Sequence, residues 1–136
     1  MDKIIFYLLF ALAFLVAVFV LIYNTNYLGT SDVMADLYVT EGRGIGFNID
    51  TDALHYGHIG QGLSGTRRLN ITNKYGYMVK IKIITEMNEM EKWMTLEKRF
   101  DVNGNETKLV PVRISVPKNA DPGYYTNKIL VKYYKK

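Results

Sequence analysis

The chain contains no cysteine among its 136 residues, so it can form no disulfide, no thiolate-ligated zinc site and no thiol nucleophile. The redox compartment stays open, because an extracytoplasmic domain can fold without disulfides. Histidine is almost as scarce, at His55 and His58 alone. There is one tryptophan, Trp93, and there are three prolines. No Gly-x-Ser-x-Gly elbow, phosphate loop or Ser/His/Asp ordering is present. Glu86, Glu89, Glu91 and Asp101 are scattered through polar stretches and read as solvent-facing carboxylates. An enzyme is therefore not expected, and neither is a cofactor.

A concentrated charge of one sign is also missing. Seventeen Lys and Arg against thirteen Asp and Glu leave a net charge of +4. The basic residues are dispersed, at Arg67–Arg68, Lys80, Lys82, Lys128, Lys132 and Lys135–Lys136. A nucleic-acid reader would gather its charge into one patch or stripe, so no nucleic-acid partner is expected. The tail Lys132–Lys136 is read as a solubilising strand end, in preference to a contact for anionic head groups or an acidic partner.

What the chain does have is one unbroken apolar run, Ile4 to Tyr23, with no charge, Pro or Gly. As an α-helix this run would be about 30 Å long, the thickness of a bilayer's hydrocarbon core. It is longer than the apolar stretch of a signal peptide, and the segment after it, Asn24 to Asp32, offers no Ala-x-Ala cleavage site. A soluble core helix would show a polar stripe, which this run lacks. The expectation is a retained single-pass membrane anchor in contact with lipid. The outer flank has no Lys or Arg from Asn24 until Arg43, which favours a cytoplasmic N-terminus and an extracytoplasmic C-terminal domain. Ala13 and Ala17 form a small-xxx-small pair that would permit close packing of two such helices, as in a homo-oligomer or filament.

After the anchor come about 110 residues, enough for one small domain. Asn24 to Ala35 reads as a polar juxtamembrane linker. Short alternating runs follow, the mark of half-buried strands. These are Leu37–Thr40, Phe47–Ile49, Thr66–Thr72, Tyr77–Thr85, Trp93–Val102, Leu109–Val116 and Tyr125–Tyr134. Pro111 places its strand at an edge or a bulge. Asn103–Gly104 marks a hairpin turn. The pattern predicts an all-β antiparallel sandwich of about seven strands behind one N-terminal transmembrane-type helix. The expected division is an anchor helix over residues 1–24, a linker over 25–35 and the sandwich over 36–136.

Leu54-His-Tyr-Gly-His-Ile-Gly-Gln-Gly62, followed by Arg68-Leu-Asn-Ile-Thr-Asn73, resembles the opening of immunoglobulin-like envelope domains. Trp93 and the stretch Val116-Pro-Lys-Asn-Ala-Asp-Pro-Gly-Tyr-Tyr-Thr-Asn-Lys-Ile-Leu-Val131 resemble the last third of that family, where a Pro-Gly-x-Tyr turn feeds the final strand. The resemblance spans roughly residues 50 to 134, with Asn127 where such domains often carry Gly. It implies an immunoglobulin-like fold in the cell envelope. One hydrophobic helix before a β-sandwich is also similar in plan to archaeal pilins and archaellum-associated proteins. Function does not transfer from a fold shared by so many roles. Physically, Trp93 should fill the inter-sheet core, and Tyr125 should bury its ring while its hydroxyl bonds nearby backbone, as a tyrosine corner does.

Candidate sites are few. Asp50, Asp52, His55 and His58 could be drawn as a metal set, but side chains of one extended segment need not converge, so no metal site is expected. Asp101 to Glu106 begins like a calcium loop and lacks its Gly and its bidentate Glu. Asn70-Ile-Thr72 and Asn105-Glu-Thr107 are glycosylation sequons on expected outward or turn positions. The final strand, taken as an open sheet edge, offers an outward face of Thr126, Lys128, Leu130, Lys132 and Tyr134 to an envelope or surface-appendage protein. The leading reading is an interaction module. A structural filament subunit is the alternative, and carbohydrate binding through exposed tyrosines is a third class.

Overall fold

A computed structural model describes residues 2–42, 45–46 and 53–136. The apolar run forms α1 (Asp2–Thr25), a 24-residue helix whose described side chains are nearly all exposed. Among the described residues, it is the one helix long and apolar enough to cross a membrane. The remainder is mainly strand, in two sheets. In chain order the elements are β1 (Tyr27–Thr40), β2 (Ile45–Gly46), β3 (Leu54–Gly60), β4 (Ser64–Thr72), β5 (Val79–Thr85), α2 (Glu89–Trp93), β6 (Met94–Thr95), β7 (Arg99–Val102), β8 (Thr107–Ser115) and β9 (Gly123–Lys135).

One sheet has six strands in the order β2-β3-β1-β9-β5-β7, and the other has three in the order β4-β8-β6. The all-β sandwich behind one helix is thus the observed architecture. Its pairings are antiparallel except for β1 with β3, which run parallel. Alternation builds the core. Leu69 and Ile71 of β4 and Val110, Val112 and Ile114 of β8 face Leu37, Val39, Val79, Ile81, Ile83, Ile129 and Val131 of the larger sheet, all buried. Each such side chain contributes roughly 1.5–3 kcal/mol by leaving water. Trp93 is buried as expected and packs, tilted by 58° and at 4.7 Å between ring centroids, against Tyr125, whose hydroxyl donates to the Asp121 carbonyl at 2.7 Å.

Several expectations are corrected. Residues 27–35, read as a linker, are the first half of β1 and pair with β9, with one register shift between Tyr27 and Gly29. Their own alternation is weak, and the long partner strand imposes the extended form. The stretch from Trp93 to Val102 is not one strand. Its start belongs to α2, capped by the Asn88 side chain accepting from the Glu91 amide, and its end is β7 in the other sheet. Two buried asparagines set these joints. Asn127 donates to the Glu86 carbonyl at 2.8 Å and to the Asn88 side chain at 2.9 Å. Asn73 donates to the carbonyls of Tyr77, Val102 and Asn103. The Asn103–Gly104 turn crosses between sheets and so is not a hairpin within one. Pro111 lies in β8 beside Arg68, and β6 covers only Arg113 and Ile114 on the far side, so Pro111 sits on an open stretch without a register shift. The strand expected at Phe47–Ile49 lies outside the described residues, as do Asp50 and Asp52.

Candidate functional site on the outer face of the large sheet

β9 is not a sheet edge. It lies between β1 and β5 and is hydrogen-bonded on both sides, so no partner strand can add to it. Its length and apolar content earned it the centre of the sheet, where both sets of backbone groups are satisfied. What it does present is a face. Thr126, Lys128, Leu130, Lys132 and Tyr134 alternate with the buried Asn127, Ile129 and Val131 and point away from the core. Lys128 lies 3.5 Å from the Asp32 carboxylate on β1.

At the upper end of this face the pairing of β9, β1 and β3 gathers a cluster that no single segment reveals. Tyr38 is directly opposite Tyr124 on one side and His58 on the other. The Tyr38 ring is 4.6 Å from that of Tyr124 and 5.3 Å from that of His58, the latter pair stacked. The two tyrosines remain about half exposed, at 48% and 54%. Beside them His55 Nδ1 is 2.8 Å from Asp36 Oδ2. Desolvation raises the Tyr124 phenol above its usual range, and the adjacent Asp36 charge and hydrogen bond act in the same direction.

The histidines reach one face because of a bulge. In a regular strand, residues three apart point to opposite sides. The β1–β3 register shifts between Asp36 and Tyr38, and on β3 Gly57 takes a left-handed φ of 65°. The extra residue turns His58 outward beside His55 and leaves Tyr56 and Ile59 buried. Tyr56 donates to the Val112 carbonyl of the small sheet at 2.7 Å, and Arg67 Nε of β4 donates to the His55 carbonyl at 2.8 Å. The cluster therefore rests on a braced strand.

This arrangement offers aromatic faces, an imidazole and a carboxylate, which is recognition chemistry. Among the described residues no group of three His, Asp or Glu side chains could hold a metal ion. His55 is committed to Asp36 and His58 to Tyr38, and Asp50 and Asp52 lie outside the described residues. In the stretch likened to a calcium loop, Asp101 pairs with Lys136, and Asn103 donates to Glu106 at 3.0 Å. Asn70 and Asn105 are exposed, and the threonines of their two sequons, Thr72 and Thr107, bond each other at 2.9 Å across β4 and β8. Ala13 and Ala17 both lie bare on α1. The cluster residues Asp36, Tyr38 and Tyr124 carry a partial sequence signal. Tyr124 continues the even-numbered outward parity of β9, but its neighbours Tyr38 and His58 come from strand pairing.

No protein-family model matches the chain, and no curated protein matches it. Among solved structures, the chain is similar to a DraE adhesin in complex with chloramphenicol succinate, at 15% identity and a TM-score of 0.46. The match covers 81% of this chain and 99% of the adhesin. A likeness of this size is too distant to carry a function across.

Proposed function

We propose that this chain is a non-enzymatic, membrane-anchored module that binds a protein of the cell envelope, in a surface layer or a surface appendage, through the outer face of its large sheet. In this reading α1 crosses the bilayer with its N-terminus in the cytoplasm, and the sandwich stands outside. The observation that carries it is the exposed Tyr38–His58–Tyr124 cluster. Tyr38 lies 11 strand residues beyond Tyr27, so the cluster stands about 35 Å along β1 from the end of α1. Tyrosines held in ring contact supply a large contact area at small entropic cost, and such residues dominate binding energy at interfaces. Thr126, Lys128 and Leu130 extend the same surface downward.

A photo-crosslinker at Thr126 in native membranes tests this reading. The wild-type chain should form one discrete adduct with a different envelope protein, unaffected by chelator. Tyr38→Ala with Tyr124→Ala should reduce that adduct at least about thirtyfold, as expected for two interface anchors. An adduct with a second copy of the chain would favour the filament subunit instead. An adduct unchanged in the double variant would remove this face from the proposal.

A further inference from the structure

The lower end of the same face has a different chemistry. Across the strand register, Tyr27 lies beside Tyr134, Tyr134 beside Lys80 and Lys80 beside Asp101. The next outward row runs Thr30, Lys132, Lys82 and Arg99. Both rows face away from the core, because Ile81 and Phe100 fill the inward positions between them and Val79 and Val131 the inward positions on either side. Lys80, Lys82 and Arg99 line an open groove of about 620 Å³ that reaches Tyr23 and Asn26 at the end of α1.

Two observations set these cations apart from ordinary surface lysines. Among the described residues, none of Lys80, Lys82, Arg99 and Lys132 has an ion pair or a hydrogen bond from its side chain, and the one acid in the two rows, Asp101, is taken by Lys136. Lys132, Lys82 and Arg99 also stand directly opposite one another on three neighbouring strands. Like charges in that position repel and weaken the sheet, unless an anion sits among them.

Their location names the anion. Tyr23 closes the apolar span of α1, and only Asn24–Asn26 separate it from Tyr27. The head-group layer is about 5–7 Å deep on each side of the hydrocarbon, and the two rows are about 7 Å apart along the strands. The groove lined by Lys80, Lys82 and Arg99 is also lined by Tyr23 itself, which brings these cations against the end of the apolar span, where a head-group layer and a Debye length of about 8 Å beyond it meet them. Tyr27 and Tyr134, with rings 5.6 Å apart, sit with Tyr23 where interfacial aromatics gather. We propose that Lys80, Lys82, Arg99 and Lys132 bind the phosphates of anionic phospholipids and hold the sandwich on the bilayer surface. This rests on α1 crossing that bilayer.

Hydrogen exchange of the full chain in lipid nanodiscs tests it. One set of discs is phosphatidylcholine alone, and the other contains one quarter phosphatidylglycerol. Backbone amides of residues 99–102, on the edge strand beneath the patch, should exchange at least about fivefold more slowly in the anionic discs, the effect expected of a single basic residue near such a surface. The protection should vanish at high salt and in a variant carrying Lys82→Gln, Arg99→Gln and Lys132→Gln. Equal exchange of the wild-type chain in both disc types would overturn the proposal without any variant. Equal protection by inorganic phosphate in phosphatidylcholine discs would also overturn it, in favour of a free-ion site. A chain that fails to enter discs at all would instead refute the membrane-spanning reading, and this proposal would fall with it.

Discussion

Tyr56 has no exposed surface, yet it carries a phenol into the core. Its hydroxyl finds the Val112 carbonyl of the opposite sheet, so one hydrogen bond ties the two layers. Burial raises the phenol's pKa far above its usual range, while the Arg67 charge pulls weakly the other way. The unfolded chain titrates near pH 10, and the folded chain holds its proton to a higher pH. Stability from this group is complete below pH 10. It declines as pH rises beyond that value, by about 1.4 kcal/mol per pH unit for one proton. Burial also raises the phenols of Tyr124 and Tyr125, so some alkaline slope remains without Tyr56. Tyr56→Phe should cost about 1–2 kcal/mol at neutral pH through the unpaired Val112 carbonyl. It should also flatten the loss of stability between pH 10 and 11 by about 1 kcal/mol relative to wild type, since the unfolded phenol is already half ionised at pH 10. Chemical unfolding in detergent at stepped pH measures both. Identical slopes in the two proteins would show that Tyr56 ionises equally in the folded and unfolded states.

Among the elements, β3 shows how one residue aims a site. Gly57 is left-handed, and its bulge puts His55 and His58 on one face. An L-residue in that conformation costs roughly 1–2 kcal/mol. Gly57→Ala should destabilise the domain by about that amount and draw His58 off the Tyr38 ring. In the wild type, the His58 ring protons should carry an upfield shift from stacking on Tyr38, and the variant should lose it. A variant that kept the shift and the stability would mean that the bulge is indifferent to residue 57. The sandwich should otherwise persist, because β4 with β8 and β1 with β9 with β5 do not depend on this bulge.

For the whole molecule, the governing fact is α1. Its exposed side chains include Phe6, Phe10, Phe14, Phe19 and seven leucines and isoleucines above 55% exposure, among them Leu8, Leu12, Leu15 and Leu21. An apolar surface of that extent does not persist in water and has to be covered, by lipid or by other helices. The membrane-spanning proposal expects lipid. Alkaline carbonate extraction should leave the full chain in the membrane pellet, and detergent should release it as small particles. Release by carbonate alone would sink the anchor. Pelleting that survives detergent would point to helices packed on one another, with Ala13 and Ala17 as the first contact to test.

The sequence by itself determined the apolar helix, the two-sheet character and the faces of the regular strands. Alternation in β4, β5 and β8 sorted core from surface correctly, because side-chain direction along a strand is a local property with period two. Trp93 and Tyr125 were equally legible, since a lone large aromatic and a Pro-Gly-x-Tyr turn have few packing solutions. Neighbours were not legible. The first half of β1 has little alternation and becomes strand through its pairing with β9. β9, expected at an edge, is internal, and the stretch from Trp93 to Val102 divides between two sheets. Tyr38, His58 and Tyr124 are far apart in the chain, as are Lys80, Arg99 and Lys132. Only the tertiary structure decided that each set shares a patch, because strand order depends on long-range backbone hydrogen bonding, whose partners carry no local signal.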